Sequence, residues 1–139
     1  MEETFLNQPV PILFAVCQGI QQLAGGALNL LGIFDRLTLY RMPDGTAPDA
    51  VNLQLITQWT GGQGDFEHVI RLLDQDGNTI GENRTSFSLP GPSHRHNIQT
   101  LMAFPVREGP ITIIVCRAEV ELLRQDFTIE VQPFPGTAP

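Results

Sequence analysis

Apolar and polar residues alternate with a period of two along almost the whole chain, and no window sustains the 3.6-residue period of an amphipathic helix. Pro and Gly clusters cut this pattern into strand-length runs. Residues 10–18 are apolar at both parities, with Ile12, Phe14 and Val16 set against Leu13, Ala15 and Cys17, which predicts a central strand covered on both faces. Gly25-Gly26 then turns the chain into one long strand over residues 28–40. Pro43-Asp44-Gly45 and Ala47-Pro48-Asp49 make a loop. Val51, Leu53, Leu55, Thr57 and Trp59 alternate with Asn52, Gln54, Ile56, Gln58 and Thr60, a strand with one buried and one mostly polar face.

The Gly-rich segment 61–65 reads as a hairpin loop, and residues 66–73 as the return strand. Asp74-Gln75-Asp76-Gly77-Asn78 is a tight turn in which Gly77 supplies a positive φ. Residues 79–89 form a more polar strand suited to a sheet edge. After the break Pro90-Gly91-Pro92-Ser93, the residues His96, Ile98, Thr100, Met102, Phe104 and Val106 alternate again. Glu108-Gly109-Pro110 turns the chain into a core strand over 111–117. Its hairpin partner over 122–131 carries Leu123, Phe127, Ile129 and Val131 inward, and residues 133–139 are expected to be a frayed tail.

Seven or eight strands with hairpin turns specify an all-β fold, an antiparallel β-sandwich in a single domain over residues 1–139, with a closed barrel as the alternative. The closing pair of core strands suits the last two strands of an immunoglobulin-like sandwich.

One residue disturbs the pattern. Leu31, Ile33, Leu37 and Leu39 share a parity, and Asp35 falls in the middle of that row. Either the carboxylate is buried and paired, or the strand bulges near Gly32 and turns Asp35 outward. Both alternatives make Gly32 and Asp35 structural positions, as Gly77 is in its turn.

Composition narrows the function classes. The net charge is −7, which argues against nucleic acid and anionic membrane surfaces as partners. All eight basic residues are Arg. Without lysine there is no P-loop phosphate site, Schiff base or lysine general base. The acidic start Met1-Glu2-Glu3-Thr4 is no secretory signal, and the apolar run 10–17 is too short to span a membrane. Cys17 and Cys116, each inside an apolar run, are therefore expected to be free thiols in a reducing cytoplasm.

The candidate chemistry is thin. The Asp74–Asn78 turn lacks the Gly and Glu positions of a calcium loop. His94 and His96 would share one side of a strand and are weak candidates for metal ligands, with His68 in another strand as the third histidine. Ser86, Ser88 and Ser93 have no activating neighbour, and no Cys lies near a His. Trp59, beside the Gly-rich loop, is either a core aromatic or a contact for a ligand or partner. No catalytic residue, cofactor or metal is expected.

At Leu31-Gly32-Ile33-Phe34-Asp35-Arg36 the chain resembles an uncharacterised bacterial family of small immunoglobulin-like β-sandwich proteins of unknown function. The likeness runs from about residue 10 to 132. It includes the apolar strand 12–17, the Gly-Ile-Phe-Asp segment 32–35, the Asp-x-Asp-Gly hairpin 74–77 and the closing hairpin 108–131. It implies a fold and no activity. Arg117-Ala118-Glu119-Val120 stands where the family has an Asp-Gly turn, a departure expected to lengthen the hairpin into an interaction surface.

The function expected from these features is a non-enzymatic binding or assembly module that contacts a protein, in its simplest form a homodimer through an edge strand or a sheet face. The alternative is a small-molecule or carbohydrate binder, metal-assisted through His94 and His96, with Trp59 and the histidines converging on a concave pocket. An uncharacterised hydrolase-type site would instead place Asp35 or Asp65 beside a His in a pocket.

Overall fold

Nine strands form in the computed structural model, which describes residues 8–137: β1 (Val10–Gln22), β2 (Leu28–Ile33), β3 (Arg36–Tyr40), β4 (Ala50–Thr60), β5 (Gly64–Leu73), β6 (Thr79–Leu89), β7 (His96–Pro105), β8 (Gly109–Arg117) and β9 (Val120–Gln132). The described residues contain no α-helix. Two short 3-10 turns lie at Ala24–Gly26 and Pro135–Thr137. The second occupies the segment expected to fray, while residues 138–139 lie outside the described residues.

The strands make a four-stranded sheet in the order β2-β1-β4-β7 and a five-stranded sheet in the order β3-β9-β8-β5-β6. The expectation of seven or eight strands is corrected to nine because the run 28–40 is two strands in two sheets. β2 pairs antiparallel with β1, and β3 pairs parallel with β9. The architecture is therefore not wholly antiparallel: a chain that changes sheets without reversing arrives beside β9 in the same direction.

The crossing explains Asp35. Gly32 has φ 65°, the left-handed region that favours glycine, yet the β1–β2 register runs through it without a shift, Leu31 opposite Gly19 and Ile33 opposite Cys17, and the change of face comes with the change of sheet between β2 and β3. Phe34 then faces the core, edge-on to Phe127 at 5.9 Å and 77°. Leu37 and Leu39 pack against the core two and four residues after Asp35. Asp35 itself is exposed, and its backbone carbonyl accepts a hydrogen bond from Thr128 N at 2.9 Å. Phe34 N donates to Val16 O at 3.4 Å, so the two sides of the crossing are tied to different sheets.

Asp35 thus faces outward through the change of sheet and not through a bulge at Gly32, and its carboxylate makes no hydrogen bond or ion pair among the described residues. Asp35→Ala is expected to change stability by less than about 0.5 kcal/mol. Gly32→Ala is expected to cost about 1–2 kcal/mol from the left-handed backbone alone. The new Cβ would also meet Gln18 Oε1 at 2.9 Å. Paired urea titrations of the two variants check this; a larger loss for Asp35→Ala than for Gly32→Ala would refute it.

Side chains from both sheets meet in one apolar core. Val16, Val51, Leu53, Leu55, Trp59, Ile98, Met102 and Phe104 come from the four-stranded sheet. Ile70, Leu72, Phe87, Leu89, Ile111, Ile113, Val115, Phe127 and Ile129 come from the five-stranded sheet. β7 shows the underlying rule most plainly, its buried residues Ile98, Thr100, Met102 and Phe104 alternating with exposed Asn97, Gln99, Leu101 and Ala103. Residues of opposite parity to the core set lie on the outer faces. On the five-stranded sheet these include a second apolar cluster of Val69, Ile114 and Cys116.

Candidate functional site

Trp59 stands in the core. It is fully buried, with its ring centroid 5.2 Å from Phe87 and 5.7 Å from His68, the latter at right angles. Its place on the inner parity of β4 settles this role, and it offers no surface to a ligand or partner. His68, from β5, is equally buried, and its Nε2 lies 3.3 Å from Thr57 Oγ1. Burial pulls the imidazole down to about 4. Among the described residues Trp59 Nε1, His68 Nδ1 and Thr100 Oγ1 are buried without a hydrogen-bond partner.

The aromatic and histidine residues do converge, but as packed layers. His96 stacks on Phe87 with centroids 5.8 Å apart and ring planes 9° apart, and Phe66 lies on the same ring at 5.8 Å. The expected concave pocket of Trp59 and the histidines is thus filled by phenylalanine. His94 precedes the strand that begins at His96, in the turn where its N donates to Gly91 O, so the two histidines do not share a strand face. Among the described residues no three His, Cys, Asp or Glu side chains are grouped to hold a metal ion.

The acidic candidates are dispersed. Asp65 accepts from the hydroxyl of Ser88 across the β5–β6 pair. Asp74 Oδ1 accepts from the backbone N–H groups of Asp76 and Asn78, and Gly77, at φ 83°, closes the turn by donating to Asp74 O. A shallow groove of about 150 Å³ beside this turn is lined by Asp74, Gln75, Asp76, Arg107, Glu108, Pro110 and Ile111. It contains none of Trp59, His68, His94 and His96. Cys17 and Cys116 are both free, and burial pushes both thiols up, away from nucleophilic character.

The two outer faces differ sharply in charge. On the five-stranded sheet Arg71 bridges Glu82 and Glu119, and Arg84 bridges Glu67, Glu82 and Glu119. Arg36 pairs with Glu130 at 2.6 Å, and Arg124 with Glu121 at 2.8 Å. The Arg71 guanidinium, then that of Arg84, holds the Glu82 carboxyl below the usual range. Glu119 sits in the β8–β9 turn, where Ala118 takes φ 52° and its N donates to Glu67 O at 2.8 Å. The turn expected to project as an interaction surface is instead tight, and folds back onto its own sheet.

The four strands β1, β2, β4 and β7 contain no Asp, Glu, Lys or Arg; His96 is their one ionisable group besides Cys17. Their register sets the outer face in rows. Asn97, Gln58 and Leu13 lie side by side, then Gln99, Ile56 and Ala15, then Leu101, Gln54 and Cys17. Ala15, Cys17 and Ile56 are buried although they face away from the core. Around them Leu13, Leu31 and Leu101 stand 42%, 48% and 68% exposed. The amides are held in place: Gln58 Nε2 donates to Asn97 Oδ1 at 2.8 Å, Gln54 Nε2 to Gln18 O at 3.4 Å, and Gln54 Oε1 accepts from Ile20 N at 3.2 Å.

Sequence reasoning missed this face. One signal is present, since residues 10–18 are apolar at both parities, a pattern that equally fits a strand covered on both faces within its own domain. The lack of charge becomes a surface property only once β1, β2, β4 and β7 are known to be neighbours.

Comparison with known proteins bears on family membership. The chain is similar to an immunoglobulin-like protein from Pseudomonas aeruginosa, with 14% identity and a TM-score of 0.47 over 90% of this chain and 98% of that one. It is also similar to a β-glucuronidase of glycoside hydrolase family 2 (7% identity, TM-score 0.46, 60% of this chain). A glycosyl hydrolase family 2 member from Bacteroides cellulosilyticus gives 7% identity and a TM-score of 0.45 over 59% of this chain. The matched part spans only 10% and 13% of those two enzymes. Their chemistry therefore does not transfer. No curated protein sequence matches the chain. Among the described residues no helix is long and apolar enough to cross a membrane. A family of unknown function (DUF6941) matches residues 12–130, and the chain belongs to that family.

Proposed function

We propose that the protein is a non-enzymatic docking module, an immunoglobulin-like β-sandwich that meets a protein partner through the outer face of its four-stranded sheet. The observation that carries this reading is the charge-free composition of β1, β2, β4 and β7 in a chain of net charge −7, together with exposed Leu13, Leu31 and Leu101. Interface centres are depleted of charged side chains, and contiguous exposed apolar area on a soluble domain marks contact. Carbohydrate binding is less well supported, because Trp59, the aromatic that would stack on a sugar, is in the core. The acidic balance speaks against nucleic acid as the partner. Two buried free cysteines favour a reducing cytoplasm.

The test is carbene footprinting of the protein, purified at a dilution where sedimentation shows it to be monomeric, and in an extract of its own cells. Labelling at Leu13, Leu31 and Leu101 is expected to fall several-fold in the extract. Met42 and Val120, exposed elsewhere, serve as controls and should label equally in both. Equal labelling of all five residues under both conditions would overturn the docking face.

A further inference from the structure

We infer that the occupant of this face is a second copy of the chain, packed sheet to sheet about a two-fold axis. The inference rests on the docking reading above and names its partner. Charge is the first argument. Every copy carries −7, and the charged side chains of the described residues lie on the loops and on the five-stranded sheet, among them Arg36, Glu67, Arg71, Glu82, Arg84 and Glu130. A contact through the outer face of the five-stranded sheet would instead have to desolvate its Arg–Glu pairs. Through the four-stranded sheet two copies meet with their charged surfaces directed apart, on the far sides of both domains. A basic partner, by contrast, would be met through a face that wastes the attraction of the net charge.

Side-chain chemistry is the second argument. An isologous interface requires a patch that complements itself, residue i against j and j against i. Carboxylates and guanidiniums fail that requirement near the axis, whereas amides, which both donate and accept, satisfy it. The amide side chains of outer parity across β4 and β7 are Asn52, Gln54, Gln58, Asn97 and Gln99. Gln58 and Asn97 already hold one another at 2.8 Å, so little side-chain freedom remains to be lost on contact.

Area is the third. Eleven residues of β4 and the spacing of four strands outline a face of about 600 Å² in flat projection. That is the scale of the roughly 800 Å² of accessible surface that each partner of a stable complex covers. Two such sheets pack about 10 Å apart. Leu101, at 68% exposure the most prominent apolar residue of the face, would be buried in the contact.

Sedimentation equilibrium tests this on the full chain, with Leu101→Glu, Leu101→Arg and, on the opposite outer face, Arg84→Glu. The wild type and Arg84→Glu are expected to be dimers at micromolar concentration. Each Leu101 variant is expected to be a monomer whose circular dichroism and melting temperature match those of a folded domain, because position 101 is exposed in the free chain. A wild type that stays monomeric at several hundred micromolar overturns the second copy as occupant. So does a dimer that survives both Leu101 variants. Neither result touches the docking face, which the footprint in cell extract decides separately.

Discussion

Trp59→Ala is expected to be the most damaging single substitution in the protein, costing about 3–5 kcal/mol. That is a large share of the roughly 5–15 kcal/mol that holds a domain folded, and should lower the melting temperature by about 10–15 °C. Trp59 is fully buried and lies between Phe87 of β6 and His68 of β5, so its removal leaves a cavity lined by side chains of both sheets. The strands on either side of β4 hold the backbone there, with Pro11 and His96 in register with Trp59, which limits collapse into the space. The indole Nε1 makes no hydrogen bond among the described residues. Trp59→Phe should therefore cost only the lost volume, about 1–2 kcal/mol. Trp59 is the chain's one tryptophan, and its emission reports the unfolding of the wild type directly. Urea titration followed by circular dichroism compares all three proteins. A Trp59→Ala variant within about 1 kcal/mol of wild type would contradict the packing described here.

The second large effect is a loss of stability in mild acid, and it comes from His68. Unfolded, the imidazole titrates near 6.5; in the fold, burial lowers it to about 4. Above the upper value the group is neutral in both states and costs nothing. Between the two, the unfolded chain binds a proton that the folded chain does not, so stability declines as the pH drops through this window. Below the lower value both states are protonated and the full difference, about 3 kcal/mol, has been lost. The Glu82 and Glu121 carboxyls, hydrogen-bonded to Arg71 and Arg124, are held below their usual range.

His68→Phe should remove the dependence between pH 6.5 and 4, because an aromatic ring of similar size retains the edge-on contact with Trp59. It leaves the Thr57 hydroxyl without its ring partner, at a cost of about 1 kcal/mol at neutral pH. Urea titrations at pH 7, 5.5 and 4.5 measure both variants. A wild-type stability that is flat across these conditions would show that the imidazole is not held neutral.

Much of this architecture is legible in the residues. The strand over 96–105 follows from five inward positions spaced by two, and the hairpin at Asp74–Asn78 from an Asx side chain and a Gly that can take positive φ. The polar strand 79–89 lies at a sheet edge, as its composition predicted. Other features were not legible for identifiable reasons. The place and nature of the break at Phe34-Asp35 are not legible because Leu31, Ile33, Leu37 and Leu39 keep one parity on paper, while the chain changes sheets between β2 and β3, which leaves Leu31 on an outer face and turns Leu37 and Leu39 to the core. The pairing of His68 with Trp59 and Thr57 joins residues from two sheets, and no local pattern encodes a contact of that kind.

Most strands and turns, the crossing between β2 and β3 excepted, can be read from residue order, because pleat and turn conformations are properties of neighbouring residues. The same order leaves four of those strands without charge. That these four stand side by side in one sheet is known only from the folded chain. The order β2-β1-β4-β7 is set by how two sheets bury their inner faces in a common core, and that is a property of the whole chain. The same packing turned Asp35 to water, closed Trp59 and His68 away from it, and left Leu13, Leu31 and Leu101 on an uncharged surface.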